Sequence, residues 1–130
     1  MKAIAIGAFI VGLSATTAGA DEDLFSANYL FSGCQEFIAR NGAVNARSGI
    51  CFGIIRAIIF TGTNLKVAQM DYASPNDAIA WLHCLNVPDG VSGTQAVRVV
   101  VSYISARPAR MHERFEDLAI EAPRDAWPCK

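Results

Sequence analysis

Apolar residues recur at helical spacing in the segment ANYLFSGCQEFIA, which follows Ser26. The face that they form holds Tyr29 or Leu30, then Cys34, then Phe37 with Ile38. Arg40-Asn41-Gly42 ends the pattern, because asparagine and glycine commonly follow the last turn of a helix. The pattern predicts a first helix that buries this face.

A second apolar stretch runs from Ile50 to Phe60, with Arg56 as its one charged residue. Residues 41–48 before it are small and polar and indicate a loop. A segment that is apolar nearly all round belongs in the middle of a core. Its length before Thr61-Gly62 favours a helix over a buried strand, and it is too short and too charged to span a membrane. We predict a second helix that faces the first.

Residues 63–90 are the least regular part of the chain. Ser-Pro-Asn-Asp at 74–77 and Pro-Asp-Gly at 88–90 mark turns. We expect mostly loop here, with one short helix over 77–82.

The valine-rich segment AVRVVVSYISA, residues 96–106, fits two patterns. Alternation favours a strand, whereas Val97, Val100, Val101 and Ile104 form a helical stripe. Ser92 and Gln95 have the spacing of a capping box, and Arg107-Pro108 stops a helix. These signals favour a third helix.

A fourth helix is predicted near the end of the chain. Its apolar face holds Phe115, Leu118, Ala119 and Ala122, and acidic residues lie outside. Pro123 should kink or restart this helix, because proline cannot donate the backbone hydrogen bond.

Residues 1–20 have the order of a cleavable secretory signal. Lys2 precedes an apolar stretch, and small residues end at Ala18-Gly19-Ala20. We expect cleavage after Ala20, leaving one helical domain over 21–130 that is exported and soluble.

All 4 cysteines, Cys34, Cys51, Cys84 and Cys129, follow the predicted signal. An even number in a small exported domain favours two disulfides. Zinc is the rival interpretation, but no two cysteines have the short spacing of zinc ligands. Three pairings are open, and proximity along the chain favours Cys34 with Cys51 and Cys84 with Cys129.

The charge and motifs of the chain exclude several functions. The 11 Lys and Arg nearly balance the 12 Asp and Glu, so the basic surface of a nucleic-acid binder is missing. Glu113 with Glu116 or Asp117 fits a solvated helix face better than an acid–base pair. The sequence has no phosphate loop or cofactor fingerprint. We expect no catalytic residue, no cofactor and no metal.

The segments between Cys34 and Cys129 together resemble one family. They are CFGII at 51–55, VPDGVSGTQ at 87–95, VVVSYI at 99–104, RPARMH at 107–112 and APRDAWPC at 122–129. In this order they resemble the Rap/Tai immunity proteins, periplasmic partners of type VI secretion amidase effectors. The chain departs from that pattern at Pro123 and Trp127, where the family has leucine and phenylalanine.

The resemblance implies an all-α fold of about four main helices closed by two disulfides. It implies a periplasmic protein, not an enzyme, that inhibits a peptidoglycan amidase by binding its active-site cleft, often as a homodimer. No nucleic acid and, after signal cleavage, no membrane would be a partner. The alternative is a periplasmic stress or chaperone-like protein that binds unfolded clients through apolar surface.

Residues 64–72 combine polar groups with a methionine and a tyrosine, which suit interface anchors. The core pattern does not use them, although an inert loop explains them equally well. The arginine run 107–114 is the other candidate surface. The residues predicted to contact a partner are Lys66, Gln69, Met70, Tyr72 and Arg110.

Overall fold

A computed structural model describes residues 23–69 and 85–128. Within these ranges there are four α-helices, namely α1 (Ala27–Ala39), α2 (Ala46–Gln69), α3 (Gly93–Ser105) and α4 (Phe115–Ala126), and one 3₁₀ turn, Pro108–Arg110. The described residues form no strand, so the predicted all-α class is confirmed. The predicted signal at 1–20 and the short helix predicted at 77–82 lie outside the described residues.

The start of α1 is joined to the start of α4 through the backbone. The first N–H groups of α1 have no partner inside the helix, and here Ala27 donates to the carbonyl of Glu113 at 2.9 Å and Asn28 to that of Met111 at 2.8 Å. Phe115 donates in turn to the carbonyl of Phe25 at 2.8 Å. These bonds satisfy backbone groups that the helices leave unpaired, and they join the starts of α1 and α4.

The predicted loop at 41–48 is too long, because α2 begins at Ala46. Ser48 donates its N–H to the Asn45 side-chain oxygen at 2.9 Å, and Asn45 donates its N–H to the Ser48 hydroxyl at 2.8 Å. This reciprocal pair is the geometry of a capping box, made by Asn and Ser.

The second helix does not end near Thr61-Gly62 as predicted, because α2 continues to Gln69. The prediction of mostly loop is therefore also wrong for residues 63–69. Gly62 is a packing position instead of a helix stop. A Cβ atom on Gly62 would lie 2.7 Å from Cβ of Leu85, which is buried. Glycine is therefore required here by the close approach of Leu85.

The prediction that the Ile50–Phe60 stretch lies in the middle of the core is wrong as well. Only a stripe that includes Cys51 and Ile55 is buried, while Ile50 is 48% exposed and Phe60 is 69% exposed. With its observed length, the 46–63 part of α2 is apolar enough to cross a membrane by length and composition alone. Helices of soluble domains pass the same test, and α2 packs on the other three helices.

The third helix forms as its cap predicts. The Ser92 hydroxyl accepts a hydrogen bond from the N–H of Gln95 at 3.1 Å, and the helix runs to Ser105. Its buried residues are Ala96, Val97, Val100 and Ile104. The helical stripe, and not the alternation, therefore describes the valine-rich segment.

The helix does not restart at Pro123, because α4 continues through it to Ala126. The kink expected there stays a prediction. Pro123 lies in the last turns of the helix, so only one backbone bond is lost there. It is buried, and its carbonyl accepts a hydrogen bond from the N–H of Trp127 at 2.9 Å. The apolar ring therefore adds to the core at the place where the bond is missing.

The core lies between the four helices, and α1 and α2 are also linked covalently. The Cys34–Cys51 disulfide, with a Cα–Cα distance of 5.4 Å, confirms the favoured pairing of these two cysteines. Cys84 and Cys129 lie outside the described residues, so their bond stays a prediction. The core residues are Ala27, Leu30, Cys34, Phe37, Cys51, Ile55, Ala96, Val97, Val100, Ile104, Phe115, Leu118, Ala119 and Ala122.

Candidate functional site: the partner-binding surface

The five residues predicted to contact a partner fall in two places. Lys66 and Gln69 lie in the last two turns of α2, where only the backbone is described, and Met70 and Tyr72 lie outside the described residues. Arg110 ends the 3₁₀ turn between α3 and α4. Of the five residues, Arg110 is the one whose side chain the structure describes.

Arg110 is the centre of an ionic cluster that joins the 3₁₀ turn to α4. Its guanidinium donates to Glu113 at 2.8 and 2.7 Å and to Glu121 at 2.6 and 3.0 Å. A further bond of 3.3 Å reaches the hydroxyl of Tyr103. A guanidinium has five N–H donors, so all of them are used within the chain. Arg110 therefore holds this turn in place, and 32% of its side chain stays exposed.

Two further side chains extend the cluster onto α3. The Tyr103 hydroxyl donates to Glu121 at 2.7 Å, and burial together with this bond raises the tyrosine pKa. Arg107 lies 3.6 Å above the Tyr103 ring and donates to the Tyr103 carbonyl at 3.0 Å. Arg107 and Arg110 are thus hydrogen-bonded within the chain, while Arg114 is 68% exposed and forms a longer ion pair of 3.8 Å with Glu116.

The Arg110 cluster predicts how stability depends on pH. Hydrogen bonds from Arg110 lower the pKa of Glu113 and of Glu121 below the ordinary 4.5. A carboxyl with a lowered pKa in the folded state stabilises the fold above its unfolded pKa, and this contribution disappears as the pH falls through the folded value. We therefore expect the free energy of unfolding to fall steadily below about pH 4.5.

Urea denaturation at pH 7, 4 and 3 measures this effect, with Arg110→Gln as the comparison. The variant should be less stable than the wild-type protein at pH 7, and the difference should shrink at pH 3. A difference that is the same at all three pH values would contradict the ionic role of Arg110.

An apolar groove of about 300 Å³ lies between α2 and the start of α3. Its apolar lining consists of Phe52, Ile55, Ile59, Phe60, Val91 and Ala96, and Arg56, Thr63, Ser92 and Gly93 complete it. Ile55 and Ala96 are each only 2% exposed, so they form its floor. None of the described lining residues is acidic.

The position of Phe52 fixes one wall of this groove. Its ring stacks on Phe37 with the ring centres 4.8 Å apart. A Cβ atom on Gly93 would lie 2.6 Å from the Phe52 ring, so the first residue of α3 must be small for α3 to approach α2 this closely. The groove is therefore built from a packed aromatic pair and a tight helix contact.

The charges on the groove distinguish it from a second groove between α3 and α4. That second groove holds both Arg107 and Asp125, whose charged atoms lie 4.0 Å apart. Arg56, on the α2–α3 groove, is exposed and makes no ion pair with any residue in 23–69 or 85–128. The α2–α3 groove therefore combines apolar walls with a positive charge that no acidic group among the described residues pairs with.

Sequence reasoning did not find this groove. The sequence pattern places Phe52, Arg56 and Ile59 in a helix inside the core, and it places Ser92-Gly93 in a helix cap and in a motif of the family resemblance. The available signal was Arg56, because a charged residue in an otherwise apolar helix indicates which side faces solvent.

The described residues thus form a helical domain with an apolar groove between α2 and α3. Among the described residues, no group of His, Cys, Asp and Glu could hold a metal ion. The model of the family described as Rap1a immunity proteins matches residues 26–129, well over half of the chain. The chain belongs to this family, which indicates an immunity protein that binds a cognate secreted effector. Comparisons with curated proteins and with solved structures find no match.

Proposed function

We propose that this protein is a periplasmic inhibitor of a peptidoglycan amidase effector of type VI secretion. The family match over residues 26–129 is the observation that carries the proposal. The order of charged, apolar and small residues at 1–20 supports export, since it is the order of a secretory signal. Inhibition then occurs by binding at the amidase active-site cleft, and this chain supplies no chemistry of its own.

The physical features of the domain suit a tight inhibitor. The Cys34–Cys51 disulfide and the Arg110 cluster join neighbouring elements, so little conformational freedom remains to be lost on binding. A rigid surface with a few apolar anchors is the usual basis of tight protein interfaces. The predicted contact residues Lys66, Gln69, Met70 and Tyr72 stay part of this proposal. All five N–H donors of Arg110 are already used within the chain. Arg110 would therefore give the partner contact area and no hydrogen bond.

The test is inhibition of an amidase encoded beside this gene. We expect the mature chain to abolish cleavage of purified peptidoglycan at a one-to-one ratio, with a Kd below about 0.1 μM. A muramidase, which cuts a different bond in the same polymer, is the control and should keep its activity. The mass of the free protein by light scattering tests the dimer that the resemblance implies.

Full amidase activity in the presence of a tenfold excess of the chain would contradict the proposal. A chaperone-like protein would instead slow the aggregation of a reduced, unfolded client without affecting the amidase. The exposed Ile50 of α2 is the type of surface that such a role would use.

A further inference from the structure

We propose that the α2–α3 groove receives an apolar side chain of the effector, and that a carboxylate beside that side chain pairs with Arg56. This inference rests on the proposed function, because it takes the occupant to be the effector. It adds the site of contact and the chemistry that the partner must present there. The partner segment is thus an exposed loop with an apolar anchor next to Asp or Glu.

The size and lining of the groove suit an anchor of this type. A volume of about 300 Å³ is at the lower end of the range for binding pockets, so it suits one or two side chains. Its floor at Ile55 and Ala96 is buried, and its wall at Phe52 is held by Phe37 and Gly93. A preformed apolar pocket of this kind loses little entropy when an anchor enters it.

The charge of the groove selects an acidic neighbour for the anchor. Among the described residues, Arg56 is the one charged residue in the lining, and none of them forms an ion pair with it. The start of α3, at Gly93, adds partial positive charge at the same edge. A carboxylate at this edge would be attracted by both, whereas a lysine or arginine there would be repelled.

Two substitutions at exposed positions test the site without disturbing the core. Thr63→Trp places a large ring at the groove, and Arg56→Glu reverses its charge. Thr61→Trp and Arg98→Glu are the matched controls, since both residues are exposed on the same helices and neither lines the groove. Circular dichroism and the melting temperature should be the same for all four variants.

The binding of a small probe tests the groove in the absence of the effector. Anilinonaphthalene sulfonate is apolar and anionic, so it has the chemistry that the groove should accept. We expect Thr63→Trp and Arg56→Glu to weaken its binding about fivefold or more, with the two controls close to the wild-type protein. Equal binding by Thr63→Trp and Thr61→Trp would overturn the groove as a site for this chemistry.

Calorimetry with an amidase encoded beside this gene then tests whether the effector is the occupant. We expect Thr63→Trp and Arg56→Glu to weaken amidase binding about tenfold or more, and the amidase to displace the probe. If the wild-type protein binds the amidase but both groove variants bind it equally well, the inference fails and the proposed function stands. If the wild-type protein binds the probe but not the amidase, the proposed function fails, and the effector as occupant fails with it.

Discussion

Replacing Cys34 and Cys51 together by alanine should lower the free energy of unfolding by about 3 kcal/mol. The disulfide closes a loop with a sequence separation of 17, and removing it gives the unfolded chain more conformations. Both cysteines are completely buried between α1 and α2, so some packing is lost as well. Urea denaturation under non-reducing conditions measures the change.

A reducing agent gives the control for this prediction. If Cys84 and Cys129 are paired, as the sequence predicts, a reductant should destabilise the double variant further. A double variant that is as stable as the wild-type protein would contradict the contribution assigned to the bond between α1 and α2.

Gly33→Ala and Gly53→Ala should have opposite effects, although both glycines lie inside helices. A Cβ atom on Gly33 would lie 2.7 Å from the backbone carbonyl oxygen of Arg47, so α1 and α2 would have to move apart. Forcing extra volume into such a contact costs about 2 kcal/mol. A Cβ atom on Gly53 meets no described atom within 4 Å apart from the adjoining backbone of α2, and alanine there should stabilise α2 by about 0.5 to 1 kcal/mol.

Thermal and urea denaturation of the two alanine variants, measured side by side, test this contrast. Because the substitution is the same, helix propensity cancels and the difference reports the helix contact at Gly33. Equal stabilities for the two variants would show that α1 and α2 adjust to the added methyl group without cost.

Local patterns were sufficient for three of the four helices that the structure describes. The buried faces of α1, α3 and α4 agree with the predicted apolar stripes, as Leu30, Val100 and Leu118 illustrate. The helix cap predicted at Ser92 and the helix stop predicted at Gly42 are also found at those residues. Such signals are readable because each depends on residues that are close along the chain.

The second helix shows where local patterns fail. Gly62 has the composition of a helix stop, but its role depends on Leu85, which is more than twenty residues away. The continuous apolar stretch around Ile50 carries no period that shows which side is buried. Its length and orientation therefore depended on the elements that pack against it.

The candidate site likewise combines contacts between residues close along the chain with contacts between distant ones. The spacing of Arg110 and Glu113 is that of neighbours in a helical turn, whereas the bonds to Glu121 and Tyr103 join different elements. The groove beside Arg56 exists because Gly93 lets α3 approach Phe52 of α2.

By itself, the sequence determined the all-α class, the faces of α1, α3 and α4, and the resemblance to an immunity family. These properties follow from short-range periodicity, capping and motif order. Only the tertiary structure decided that Cys34 bonds to Cys51, that Pro123 stays inside α4, and that α2 and α3 enclose a groove. Each of these depends on which helices meet and how closely, and that is set by the packing of side chains distant in the chain.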